Sequence, residues 1–205
     1  MFPAILSKEQ KELLPLIKKF SKEYFLVGGT AIGLQIGHRM SVDFDLFTPQ
    51  KIKRVSIKKI IDAGNFSTEK IIFEAEEQMH IPVNKVKMTF FNYPFNVVHP
   101  LWYKDVISMP TLLDLGAMKA YALGGRAKWR DYVDLYFILK NYHSFSEITE
   151  RSNKLFGSFF NAKLFHEQLS YFGDVDYSQQ VQFIGNTIPE DEIKNFLIDI
   201  ATTAF

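Results

Sequence analysis

Apolar residues recur along this chain at two spacings, and each spacing predicts a kind of element. Alternation predicts a strand over 42–47, with Val42, Phe44 and Leu46 facing the core. Short apolar runs predict further strands over 24–27, 70–75, 83–91 and 97–102. Helical spacing predicts helices over 7–20, 30–36, 51–61, 110–123 and 130–139, with more helix after 144 and a last helix from 189. All the predicted strands therefore lie in the first half of the chain, together with three helices, and the second half is predicted to be helical.

The junction after the first strand carries candidate chemistry. Gly28 and Gly29 open a helix, where glycine lets the backbone approach a phosphate with its N–H groups pointing outward. Asp43 and Asp45 are two residues apart on the next strand, so they share a face, and carboxylate oxygens suit Mg²⁺. Taken separately, an ordinary tight turn and a solvated strand end would explain these residues. Their combined order predicts a nucleotidyltransferase.

Composition narrows the functional classes. The 205 residues suit one domain, or one domain with a helical extension, and 47% hydrophobic residues suffice for a packed core. The lack of cysteine excludes a disulfide, a thiolate metal site and a cysteine nucleophile. A net charge of +1 argues against a polycationic coat but leaves room for a local basic groove. The charged start at Lys8 and Glu9 is unlike a signal peptide, and no apolar run is long enough to span a bilayer. We expect a cytoplasmic protein with no membrane partner.

A second group of charged residues surrounds the helix break at 124–125. Its members are Lys119, Arg126, Lys128, Arg130, Asp131 and Asp134. Lys119 lies in an otherwise apolar helix, so its charge needs a partner, for which a triphosphate, Asp43 or Asp45 would serve. A purely structural interpretation makes Asp131 the N-cap of the next helix and Asp134 an acid of its first turn.

Together these segments resemble the AbiEii/AbiGii-type nucleotidyltransferase toxin family of the DNA polymerase β-like nucleotidyltransferase superfamily. The resemblance rests on Gly28 to Ala31, Gly37 to Arg39, Ser41, Asp43 to Phe47, Lys119 and Arg130 to Tyr136. It implies a mixed sheet flanked by helices, with a nucleotidyltransferase core at 1–108 and a helical C-terminal region at 109–205 packed on that core.

The resemblance also implies roles for individual residues. The nucleotide would lie over Gly29 and Thr30, with Mg²⁺ or Mn²⁺ at Asp43 and Asp45. The implied catalytic residues are Asp43, Asp45 and Lys119, and the implied nucleotide-binding residues are Gly28, Gly29, Thr30, Arg39, Ser41, Arg126, Arg130, Asp131 and Asp134. For Arg39, pairing with a carboxylate is as good an expectation as binding a phosphate, and Asp131 and Asp134 are open between the active-site wall and the structural roles above.

One departure from the superfamily pattern concerns a third carboxylate, which usually stands on a neighbouring strand. The best candidate strand, 83–91, has no acid and presents Lys85, Lys87 and Thr89 on one face. Glu74 and Glu76 on the preceding strand could substitute, although nothing in the sequence places them near Asp45. A lysine there could instead bind phosphate, which would leave a single-metal or substrate-assisted reaction.

The function implied is transfer of a nucleotidyl group from an NTP to a hydroxyl, with RNA such as tRNA as acceptor and a cognate antitoxin as partner. Two alternatives are a non-catalytic nucleotide- or RNA-binding module and an enzyme that modifies a small molecule such as an aminoglycoside. The basic run at 51–59 could contact an RNA backbone, although a solvated surface helix is the commoner fate of such a run.

Overall fold

The computed structural model describes residues 1–64, 66–68 and 71–203. The chain divides into two compact units, Met1–Thr111 (unit 1) and a second that begins at Leu112 (unit 2). Unit 1 contains α1 (Lys8–Glu12), α2 (Leu14–Phe20), β1 (Phe25–Val27), α3 (Gly28–Ile36), β2 (Asp43–Thr48), α4 (Arg54–Asp62), β3 (Phe73–Glu74), β4 (Gln78–Val83), β5 (Val86–Asn92), β6 (Leu101–Tyr103) and β7 (Ile107–Met109). Unit 2 contains α5 (Leu112–Leu123), α6 (Trp129–Asn141), α7 (Phe145–Phe156), α8 (Ala162–Ser170) and α9 (Glu190–Thr203).

Five strands of unit 1 form one mixed sheet in the order β1-β2-β5-β4-β3. The central pair β2 and β5 is parallel, and the other neighbouring pairs are antiparallel. Strands β6 and β7 form a separate antiparallel hairpin. The mixed α/β fold with helices flanking a mixed sheet is confirmed.

The pleat of β2 divides the sheet into an apolar face and a polar face. Phe44 and Leu46 are buried, and they pair with Met88 and Phe90 of β5 on the core side. Asp43 and Asp45 therefore point to the opposite face. The expectation for Val42 is wrong: this residue precedes the strand and its side chain is 47% exposed.

The run predicted as one strand over 83–91 is in fact a hairpin. Val83 ends β4, and β5 begins at Val86. Asn84 and Lys85 between them both have positive φ, 48° and 66°, which makes a tight reversal of the chain. The apolar alternation continued through this turn, so the pattern alone did not separate the two strands. The other strand predicted near here, over 70–75, is reduced to β3, and Lys70 lies outside the described residues.

Unit 2 consists of helices among its described residues, as the spacing predicted. The predicted helices at 110–123 and 130–139 correspond to α5 and α6, and α9 begins with three acids in its first turn, Glu190, Asp191 and Glu192. Acids at that end of a helix are stabilised by its dipole. No helix within the described ranges is both long and apolar enough to cross a bilayer.

Candidate active site

The junction between β1 and α3 brings backbone and carboxylate unusually close together. Gly28 has a φ of +69°, which disfavours any side chain, and a Cβ there would collide with Asp45 Oδ2. A Cβ on Gly29 would likewise collide with the guanidinium of Arg39. The glycine pair therefore lets one carboxylate and one guanidinium lie directly against the start of a helix.

Arg39 reaches this position because α3 ends at Ile36, three residues before it. Gly37 adopts the left-handed conformation that terminates α3, with a φ of +71°. The Arg39 side chain is buried, and its Nη1 donates to the carbonyl of Met40 at 3.1 Å. Arg39 thus sits beside the α3 N-terminus.

Three side chains hold the backbone of Asp43 in place. Its carbonyl accepts a hydrogen bond from Gln10 Nε2 at 3.2 Å and another from the Thr30 hydroxyl, which also bonds the Ser41 hydroxyl. Gln10 belongs to the capping box that Ser7 begins, so the first helix is tied to the acid strand. Thr30 and Ser41 are buried with their hydroxyls on this carbonyl, and their phosphate-binding role stays a prediction.

Lys87 of β5 stands beside the acid pair. The parallel register places it opposite Asp43, and its Nζ lies 3.2 Å from Asp43 Oδ2. The Asp43 side chain is 24% exposed and that of Lys87 is 30% exposed, so both remain accessible to solvent. Thr89 lies opposite Asp45 on the same face.

This face of the sheet carries no third carboxylate on β1, β5 or β4, all of whose residues are described. Beyond Lys87 and Thr89, it presents Gln78, His80 and Pro82 of β4. Glu74 was the first suggested substitute, but it lies on the opposite face of the sheet, three strands from β2. It pairs there with Arg54 at 3.6 Å and Lys58 at 3.3 Å.

The other suggested substitute, Glu76, also forms an ion pair away from the acid pair. Its carboxylate lies 3.7 Å from Lys51 Nζ on the surface of unit 1. The suggestion that Glu74 or Glu76 completes the acid cluster is therefore wrong, and the reason is topological: the two acids precede β4, whereas β5 is the strand inserted next to β2.

The fit of a divalent ion depends on which oxygen ligands Asp43 and Asp45 and their neighbours can offer. No group of three or more His, Asp or Glu side chains within the described part of the chain is arranged to hold a metal ion. Mg²⁺ in nucleotide sites, however, is commonly held by one or two carboxylates together with substrate phosphates and water. The oxygens of Asp43 and Asp45, beside a helix N-terminus, fit an ion that is held jointly with a nucleotide.

The second charged group lies entirely within unit 2. Lys119 of α5 contacts the carboxylates of Asp131 and of Asp134, the latter at 2.7 Å, and the three side chains are only 8%, 4% and 0% exposed. Arg126 Nε lies 3.3 Å from Asp131 Oδ2. Two acids of α6 are thus charge partners of Lys119 within unit 2.

The start of α6 also corrects the structural interpretation of these acids. The N-cap is Lys128, so Asp131 is the third residue of the helix and Asp134 lies one turn further along. Spacing of three residues puts both acids on one side of α6, where they converge on Lys119. Arg130 donates to the carbonyl of Gln180 at 3.0 Å.

The basic run at 51–59 is largely neutralised by nearby acids. In addition to the pairs of Lys51, Arg54 and Lys58 described above, Lys53 Nζ lies 3.2 Å from Glu23. Ile57 and Ile61 anchor α4 to the core, which leaves the charged side of this helix toward solvent. This arrangement favours the solvated-helix interpretation over an RNA contact.

Comparison with known sequences gives two matches. A family model described as nucleotidyl transferase AbiEii toxin, type IV toxin–antitoxin system, matches residues 16–202. An Aquifex aeolicus (strain VF5) protein, described as uncharacterized protein aq_aa25, is 31% identical over 143 residues, which cover 67% of this chain and 68% of that protein.

Solved structures show the same fold at low identity. MenT4, a nucleotidyltransferase toxin from Mycobacterium tuberculosis H37Rv, superposes with a TM-score of 0.64 at 12% identity, covering 94% of this chain and 82% of its own. JHP933 from Helicobacter pylori gives a TM-score of 0.54 at 16% identity, covering 96% of this chain and 92% of its own.

Proposed function

The chain belongs to the nucleotidyl transferase AbiEii toxin family of type IV toxin–antitoxin systems, and from this membership we propose that it transfers an NMP from an NTP to a hydroxyl of RNA such as tRNA. The observation that carries the proposal is the placement of Asp43 and Asp45 on the open face of β2, against the glycine-rich start of α3. Phosphoryl-type transfer depends mainly on positioning and charge neutralisation, and this arrangement offers both.

In the proposed reaction an acceptor hydroxyl oxygen forms a bond to the α-phosphorus of the NTP. The bond from that phosphorus to the bridging oxygen breaks, and its electron pair leaves with pyrophosphate. The hydroxyl proton passes to solvent by way of the Asp43 carboxylate, which is accessible at the surface. A Mg²⁺ or Mn²⁺ ion held by Asp43, Asp45 and the phosphates would neutralise charge on the triphosphate.

Nucleotide binding is assigned first to residues of unit 1. The backbone at Gly28 and Gly29 offers N–H groups at a helix start, where anions are favoured, and Arg39 adds a guanidinium beside it. Thr30 and Ser41 contribute by fixing the backbone of Asp43, since that is where their hydroxyls lie.

The roles of unit 2 in nucleotide binding rest on the family resemblance. They concern Lys119 as a catalytic or phosphate-binding residue and Arg126, Arg130, Asp131 and Asp134 as nucleotide-binding residues. The contacts of Lys119 with Asp131 and Asp134 are enough to explain these three residues as a structural ion-pair cluster. A role in nucleotide binding therefore has to be tested by measuring NTP binding to variants.

The cellular setting follows from the family. A toxin of this kind implies a cognate antitoxin, and consumption of NTP suits the cytoplasm, where we place the reaction. RNA as the acceptor rests on the family resemblance alone, because the paired basic run at 51–59 gives it no separate support.

A second candidate function is a nucleotide-binding module without catalytic activity. The specific observation in its favour is Lys87, which occupies the position opposite Asp43 where a further acid would complete a fuller set of metal ligands. The two candidates differ in whether label is transferred.

The experiment incubates purified total tRNA with each labelled NTP and Mg²⁺ or Mn²⁺. It compares the wild type, the Asp43→Ala/Asp45→Ala double variant and an Asp62→Ala/Asp199→Ala control, which removes two exposed aspartates. We expect label from the wild type and the control only, and the preferred NTP identifies the base. Binding of NTP without transfer to any RNA would support the non-catalytic module, and full activity of the double variant would refute the site.

A further inference from the structure

The fold places the charged side chain of Lys87 beside the acid pair, in contact with Asp43. It comes from β5, the parallel neighbour of β2, and stands in register with Asp43 rather than in a mobile loop. Its Nζ lies 3.2 Å from Asp43 Oδ2. Because β5 is hydrogen-bonded on both edges, to β2 and to β4, the Lys87 backbone has little freedom to withdraw.

The position of this ammonium restricts how many cations can share the acids. A carboxylate has about four lone-pair sites on two oxygens, so Asp43 can keep Lys87 on Oδ2 and still offer Oδ1 to a metal ion. A two-metal site instead needs ions about 3.5–4 Å apart, which requires further carboxylate oxygens between and beside them. On the described strands, this face offers Lys87 and Thr89 where those oxygens would have to be.

Electrostatics points the same way. A second divalent ion bound through Oδ2 at about 2.1 Å would lie close to the Lys87 ammonium, and like charges at that separation repel strongly in a partly dehydrated site. Conversely, an ammonium already provides a fixed positive charge beside a reacting phosphate without needing a ligand shell of its own.

We propose that this site takes a single divalent ion, and that the Lys87 ammonium stands where a second ion would bind and supplies positive charge to the reacting phosphate. The inference rests on the proposed nucleotidyl transfer and specifies its metal stoichiometry. The bond changes are those given above, and Lys87 keeps its proton throughout.

The test counts bound Mn²⁺ by electron paramagnetic resonance and equilibrium dialysis. The probes are α,β-methylene ATP, GTP, CTP and UTP, which are chosen because none can release pyrophosphate. They are added one at a time. We expect one Mn²⁺ per chain for the wild type and two for Lys87→Asp, which restores a carboxylate at this position. The matched control is Lys85→Asp, in the adjacent turn, where positive φ tolerates aspartate and one Mn²⁺ is expected.

A second variant gives a readout that does not depend on gaining a ligand. In Lys87→Met the ammonium no longer competes for Asp43, so we expect Mn²⁺ to bind at least about tenfold more tightly, while kcat for transfer falls by a similar factor. A purely structural ion pair would not produce tighter metal binding together with slower transfer.

The possible results distinguish a failure of the role assigned to Lys87 from a failure of the proposed nucleotidyl transfer. Two ions on the wild type, or one ion on a folded Lys87→Asp variant, would overturn the role assigned to Lys87 and leave nucleotidyl transfer standing. If none of the four analogues brings Mn²⁺ to the wild type, the proposed function fails together with the inference.

Discussion

Two clusters in this chain use the same side chains, two aspartates and one lysine, in opposite surroundings. In unit 1, Asp43 and Asp45 follow the alternation of a strand, and Lys87 approaches from the neighbouring strand at a partly exposed face. In unit 2, Asp131 and Asp134 follow the turn of a helix and both contact the ammonium of Lys119, whose side chain is only 8% exposed. The first cluster is open to solvent, and the second is closed.

This difference in burial decides what each cluster can do. An exposed carboxylate can exchange a lysine contact for a metal ion or a phosphate-bound ion at small cost, because water compensates the change. A buried carboxylate that loses its lysine loses charge compensation in a low-dielectric interior, which costs several kcal/mol. We therefore expect substitutions in the open cluster to change chemistry and those in the closed cluster to change stability.

The largest expected effect is on catalysis in the open cluster. Asp43→Ala should lower the transfer rate by about 10³-fold, since a lost metal ligand removes several kcal/mol of transition-state stabilisation. It should lower the free energy of unfolding by less than about 1 kcal/mol, because its pair with Lys87 is partly exposed. Labelled-NTP transfer and urea unfolding measure the two quantities. A large loss of stability would mean that the open cluster is structural after all.

In the closed cluster, the main loss should be in folding. Lys119→Met should lower the free energy of unfolding by about 3–5 kcal/mol, because two buried carboxylates lose their shared ammonium. Lys87→Met makes the same substitution in the open cluster and should cost less than about 1 kcal/mol. Urea denaturation of the two variants side by side tests the contrast, and equal losses would erase the distinction between the clusters.

The glycine at the β1–α3 junction should show an intermediate effect. Gly28→Ala forces a positive φ on a side chain, at about 1–2 kcal/mol, and pushes Asp45 from its place. Transfer should fall at least about tenfold, as expected when a reacting group is displaced. Gly125→Ala is the control, since a Cβ there meets only the carbonyl of Ala122 at 4.0 Å. Unchanged transfer by Gly28→Ala would show that Asp45 does not need this close approach.

The smallest effect concerns a third kind of carboxylate, exposed but paired. The Tyr136 hydroxyl and the Lys140 ammonium donate to Glu192 and hold its pKa below the usual 4.5. A lowered folded pKa adds stability above pH 4.5 that is lost as the pH falls through the folded value. Unfolding midpoints between pH 6 and pH 3 should therefore decline less steeply for Glu192→Gln than for the wild type. Parallel declines would exclude this contribution.

Much of the fold could be predicted from local patterns. The alternation around Asp43 and Asp45 and the left-handed Gly37 act over a few residues, so the sequence displays them directly. The missing third acid was also visible, because one strand face can be read residue by residue.

The long-range contacts could not be predicted in this way. The register that puts Lys87 opposite Asp43 depends on which strands become neighbours, and the substitutes Glu74 and Glu76 failed for the same reason. The spacing of Ser7 and Gln10 is that of a capping box, but the contact of Gln10 with the Asp43 carbonyl joins residues 33 apart. The partners of Lys119 depend on how α5 packs against α6 rather than on either helix alone.

The two strands of the central parallel pair, β2 and β5, lie far apart in the sequence, so they are synthesised at different times. The ribosome makes α4, β3 and β4 after the acid strand and before β5. In a nascent chain Asp43 and Asp45 are therefore synthesised well before Lys87. At that stage the edge of β2 that pairs with β5 is unpaired. Domains generally fold as units while translation proceeds. The acid–lysine group is therefore complete only when the central strand pair, β2 and β5, has formed.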